Sequence, residues 1–103
     1  MAAVITVAQW RPKDGRAQEF IANVVSARKI HERLGAQTRV WQTTFGGQPS
    51  TVSYVIQHAS FEDFGKFGQK LTEDPEWQQF WANALQDPTA DLLENSVMQE
   101  LPV

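Results

Sequence analysis

Asp74-Pro75-Glu76-Trp77-Gln78-Gln79-Phe80-Trp81 is the stretch on which the reading of this fold turns. Asp74 is a good helix N-cap, and Pro75 suits the first helical position, where a missing N–H costs nothing. Glu76 puts a negative charge in the first turn, where the helix dipole favours it. Trp77, Phe80, Trp81 and Ala84 then follow at i, i+3, i+4 and i+7, one face of a helix. Rings of that size on a single face need a broad apolar surface to lie on.

Working back from this stretch, Ser60-Phe61-Glu62-Asp63 opens an earlier helix with Ser60 as its cap. Phe61, Phe64, Phe67, Gly68 and Leu71 make its apolar side. Pro75 predicts a break near Glu73-Asp74, and Asp87-Pro88 ends the second half at about Gln86. Before that helix, residues 37–45 and 51–58 are rich in β-branched and aromatic side chains. They flank Gly46-Gly47-Gln48-Pro49-Ser50, which is turn chemistry, so they predict a hairpin. A turn centred on Gly47-Gln48 sets Trp41 opposite Tyr54 and Arg39 opposite Ile56, and these residues then share a face. A slip of one residue separates them.

Residues 14–34 have helical period, with Phe20, Val24, Ala27, His31 and Leu34 along one side and Gly35 placed to end the helix. Residues 3–10 read as a strand that is apolar on both faces: Ile5 and Val7 on one, Val4, Ala8 and Trp10 on the other. Such a strand is expected to be covered on both sides. Downstream, Thr89 to Leu93 reads as a helical turn or loop, and residues 94–101 as a last strand.

The order is β-α-β-β-α-β over a single domain, residues 1–103. It predicts an α+β, ferredoxin-like fold with an antiparallel four-stranded sheet and both helices on one face, the second broken near Asp74-Pro75. The helices can cover only one face of the sheet. The apolar residues on the other predict a homodimer through the sheet face.

Composition narrows the function classes. The chain has 103 residues, no cysteine and a net charge of −3. It therefore offers no disulfide framework, no thiol chemistry and no zinc–thiolate site. Its acidic balance argues against nucleic acid as a partner, and Arg28, Lys29 and Arg33 read as a solvated helix face. No apolar run reaches membrane-span length, and Met1 to Thr6 lacks the features of a secretory leader, so the cytoplasm is the expected compartment. Glycine-rich phosphate loops, nucleophile elbows and HExxH are absent from the sequence, and no cofactor or metal is expected.

Several short motifs resemble a known family. They are Pro12-Lys13-Asp14-Gly15 ahead of a helix bearing Glu19-Phe20, Val40-Trp41 before a glycine-containing hairpin, Ser60-Phe61-Glu62-Asp63, and above all Asp74-Pro75-Glu76-Trp77. Together they resemble NIPSNAP-like and antibiotic-biosynthesis-monooxygenase-like domains of the dimeric α/β-barrel kind. That superfamily includes cofactor-independent monooxygenases of polycyclic quinones, haem-degrading enzymes and members without a known activity. Membership implies a pocket between sheet and helices that takes a small aromatic ligand. Here its lining would be Phe20, Val24, His31, Trp77, Phe80 and Trp81, joined by Arg39, Trp41 and Tyr54 if the hairpin register above holds.

His31 is the candidate catalytic residue, because it stands on an apolar stripe where leucine is expected. Three readings are open for it: a histidine satisfied at the edge of the core, a proton acceptor in a pocket, or a ligand to metal or haem iron. Tyr54 and Trp41 suit an aromatic ligand and equally suit a sheet core or a dimer seam. Arg39 would need an acidic partner or an anionic ligand if buried, and none if turned to water. Function accordingly divides between a monooxygenase-like enzyme acting on an aromatic or quinone-like molecule and a non-catalytic dimeric module that binds an apolar ligand or a protein, with haem binding or degradation through His31 as a third reading.

Overall fold

The computed structural model describes residues 2–103; Met1, the first residue of the N-terminal stretch considered above, lies outside them. The elements are β1 (Val4–Pro12), α1 (Ala17–Arg33), β2 (Gln37–Gln42), β3 (Val52–His58), α2 (Phe61–Glu73), α3 (Pro75–Gln86) and β4 (Ala90–Gln99). The four strands form one sheet in the order β2-β3-β1-β4, with every neighbouring pair antiparallel. This is the ferredoxin-like arrangement, and the sheet is open: no barrel closes within one chain.

Alternation along β1 sorts the two faces. Val4, Thr6, Ala8 and Trp10 stand opposite His58, Ile56, Tyr54 and Val52 of β3. That set faces the helices, and the core is built on it with Phe20, Val24 and Ala27 of α1 and Phe67 of α2. The other face carries Ile5 and Val7 on β1, Val55 on β3, Met98 on β4 and Trp41 on β2. No element among the described residues covers it.

Two sequence expectations change. Residues 89–93 are strand from Ala90 onward instead of a turn, because Trp10, Arg11 and Pro12 of β1 extend far enough to pair with Leu92, Asp91 and Ala90. The register shifts between Gln9 and Trp10, so that Leu93 is the extra residue of a bulge. The hairpin register also differs. Tyr54 lies opposite Val40, Trp41 opposite Ser53 and Arg39 opposite Val55. The turn adopts positive φ at Gly46, Gly47 and also Ser50, and β2 ends at Gln42. That loop moves the pairing by one residue from a turn centred on Gly47-Gln48. Because strand side chains alternate, the one-residue slip sends Arg39 and Trp41 to the face opposite Tyr54.

Asp74 is the joint between the helices. Its Oδ2 accepts from the Trp77 backbone N–H at 2.9 Å, the N-cap that opens α3. Both its oxygens also accept from Arg33 Nη2 of α1, at 2.9 and 2.8 Å, and Arg33 reaches Glu76 as well, at 2.9 Å. The Arg33 guanidinium and the Trp77 N–H together hold the Asp74 carboxyl below the usual carboxylate range. Asp74→Ala removes both the cap and the bridge to α1 and is expected to lower the urea unfolding midpoint, and Asp74→Asn, which keeps the cap, to lower it less.

Candidate functional site

Helical spacing carries His31 into the core. It lies one turn beyond Ala27 on the buried side of α1 and is only 5% exposed. Phe67 of α2 meets its ring edge-on, with centroids 5.6 Å apart, and Trp77 of α3 lies 4.7 Å away. Tyr54 comes up from β3 and places its Oη 2.7 Å from His31 Nδ1. All three helices and the sheet therefore meet at this imidazole.

Two hydrogen bonds lie in and beside this cluster. Arg28 Nε donates to Thr38 Oγ1 at 2.8 Å. Tyr54 Oη and His31 Nδ1 share the other, and which of them donates follows from which ring nitrogen carries the proton. His31 Nε2 is buried and has no hydrogen-bond partner. Burial pushes the His31 pKa down to about 4, so the ring is neutral at pH 7, and burial likewise holds the Tyr54 phenol well above its ordinary range.

The other residues expected around His31 divide into two groups. Phe20 and Val24 are buried on α1 beneath the same face, with Phe20 against Trp10 at 5.9 Å. Trp77 stacks on Phe80 at 5.3 Å and on Trp81 at 5.7 Å. Trp77 and Phe80 are half-buried while Trp81 is exposed, so α3 presents a slanted aromatic stack rather than a fully buried stripe. Arg39 and Trp41 do not join them. Both lie on the uncovered face of the sheet, and Trp41 is 63% exposed there.

Two clefts open elsewhere. One, of about 340 Å³, lies at the end of the sheet between the α1–β2 connection, the end of β3 and α2, and His58 forms part of its wall. The other, of about 410 Å³, lies between α1 and α3, where Arg16 bridges to Asp87 at 2.6 Å. Neither is lined by His31, Tyr54 or Trp77. His58, whose place at a strand end beside a helix cap suggests a half-exposed ring, is instead only 7% exposed because Phe64 and Phe67 pack on it. The Arg28–Thr38 pair is the part of the picture that sequence reading missed. Thr38 next to a β-strand arginine gave no signal, since its importance depends on the register. Among the described residues no three His, Asp or Glu side chains gather as a metal site, and no helix is long and apolar enough to cross a membrane.

A four-stranded antiparallel sheet with its helices on one face and the other face left bare defines a ferredoxin-like α+β protein. The chain belongs to the NIPSNAP family, whose profile matches residues 5–103. Solved structures agree on the fold. A NIPSNAP family protein from Agrobacterium tumefaciens superposes with a TM-score of 0.74 at 23% identity, over 98% of this chain and 86% of that one. A second from the same organism, described as a NIPSNAP family protein with unknown function, gives 0.73 at 18%, over 95% and 87%. A candidate antibiotic biosynthesis monooxygenase from Chloroflexus aurantiacus gives 0.65 at 18%, over 98% and 93%. No curated protein matches the sequence.

Proposed function

We propose that this NIPSNAP protein works as a homodimer whose two sheets pack face to face, completing an α/β barrel, and that it is a binding module for small aromatic molecules. The observation that carries this reading is the uncovered sheet face. Ile5, Val7, Val55, Met98 and Trp41 are apolar, adjacent across the strands and left open to water by a single chain. A contiguous apolar face of this kind is stabilised by association, and a twofold axis allows one patch to serve both partners. Sedimentation equilibrium at micromolar concentration is expected to give twice the 11.6 kDa chain mass. A well-folded species at the single-chain mass would remove the reading.

A second reading, monooxygenase-like chemistry on an aromatic or quinone-like substrate with O₂ as oxidant, is favoured by the unpartnered Nε2 of His31. Buried polar atoms are normally paired, and a ligand oxygen is one partner this atom would accept. With Tyr54 donating to Nδ1, Nε2–H would donate to that oxygen and stabilise the substrate anion as it forms. To take a proton instead, the ring would need the other tautomer, with Nδ1–H donating to Tyr54. A ring with a pKa of about 4 is a weak base, so this role requires an acidic substrate or a wetter, opened site. Oxygen-electrode assays with a hydroquinone-type substrate are expected to show His31→Gln slowed about 100-fold with its fold intact. Equal oxygen uptake by that variant would end the catalytic assignment of His31.

A further inference from the structure

The cleft at the end of the sheet has the composition of a ligand site, separate from the His31 centre. It measures about 340 Å³, at the small end of the range for small-molecule pockets. Its apolar wall is Phe67, and its polar lining includes Gln37, His58, Asp63, Lys66 and Lys70. His58 is 7% exposed, and its ring packs against Phe64 and Phe67 with centroids 5.4 and 5.1 Å away. Its Nε2 is buried without a hydrogen-bond partner. A nine-tenths buried imidazole with an unmet polar atom, set in the wall of an open cleft, is the group that most needs explanation there.

Charge narrows what the cleft would hold. Lys66 is paired with Glu62 at 3.2 Å on the exposed surface of α2, a pairing of little energetic weight. Lys70, one turn further along α2, has no carboxylate within ion-pair distance among the described residues. Asp63 on the same helix opposes a multiply charged anion such as a phosphate. Near the end of α1, the Ile30, His31 and Glu32 carbonyls, which would also repel an anion, accept from the N–H groups of Leu34, Gly35 and Ala36.

We propose that this cleft binds a small monoanionic carboxylate with an aromatic body. The carboxylate is held by Lys70 and assisted by Lys66, and the ring lies on Phe67 beside His58. The lysines supply charge-assisted hydrogen bonds, Phe67 supplies aromatic contact, the unmet Nε2 of His58 supplies a further hydrogen bond to the ligand, and Asp63 sets the preference for a single negative charge.

The test is an NMR titration of the whole protein with sodium benzoate, followed through backbone amides and the His58 ring. Saturable shifts are expected at Ala59, Lys66, Phe67 and the His58 ring, with Kd below about 1 mM. Lys70→Met, a change at an exposed position, is expected to weaken binding about tenfold, and His58→Phe, which keeps the aromatic packing, to weaken it as well. Benzylammonium, the same ring with the opposite charge, is expected not to bind. The site is overturned if shifts fall instead around Asn23 and Ala84 in the α1–α3 cleft, or if none saturates by about 20 mM. Equal binding by Lys70→Met or by benzylammonium would overturn the carboxylate assignment, and so would equally tight binding of inorganic phosphate.

Discussion

Val7→Asp is expected to split the proposed dimer into folded single chains, weakening association by at least about a thousandfold. Val7 lies on the central strand β1, opposite Val55 on one side and Ser96 on the other, in the middle of the bare face. In a twofold face-to-face packing, the substitution puts one carboxylate from each chain into the apolar seam, with Arg39, beyond Val55 in the same row, the cation of that face nearest in register. An unpaired buried charge costs several kcal/mol, and each 1.4 kcal/mol is a factor of ten in the equilibrium. The helix-facing side of the sheet is untouched, so the far-UV signal of the dilute variant is expected to match that of the parent. Sedimentation of both at the same concentration reads the effect directly, and a variant that stays dimeric would place the interface elsewhere.

Acidification is expected to cost a comparable amount of stability, and His31 is the main reason. In the folded chain burial lowers its pKa from 6.5 to about 4. Between those values the unfolded chain binds a proton at His31 and the folded chain does not, so unfolding is favoured as pH falls through the window. A shift of that size corresponds to about 3 kcal/mol, present in full above pH 6.5 and lost by about pH 4. His58, lowered by desolvation too, acts in the same direction. The Tyr54 phenol has the opposite edge: burial raises its pKa above the unfolded value of 10, so stability falls again as pH rises beyond 10. Urea midpoints measured from pH 4 to 8 test the acid limb. His31→Leu is expected to flatten most of it. An unchanged slope in that variant would mean that the imidazole is solvated in solution.

A NIPSNAP protein with its histidine in this position shows how far local chemistry reaches. The helix boundaries were legible because their signals are local. Ser60 accepts from the Asp63 N–H at 3.2 Å, Asp74 caps Trp77, and Pro75 stands at the first helical position, as side-chain type and spacing predict. The burial of Phe20, Val24, Ala27 and His31 followed equally from a helical period, and the two-faced pattern of β1 was visible as two alternating apolar sets.

Pairing between strands was not legible, because it depends on loop conformation instead of side-chain preference. Ser50 at φ 66° is a residue that rarely adopts a left-handed backbone, and with Gly46 and Gly47 it shifts the hairpin by one position. That single step separates Trp41 and Arg39 from Tyr54 and brings Thr38 to the buried face. The Arg28–Thr38 and Tyr54–His31 hydrogen bonds therefore exist only after register, helix packing and sheet order are set together. The residue types, caps and periods written in this chain determined which elements form and which sides they bury. Tertiary structure alone decided which polar atoms meet, because a hydrogen bond needs placement within a few tenths of an ångström and sequence spacing specifies only the face.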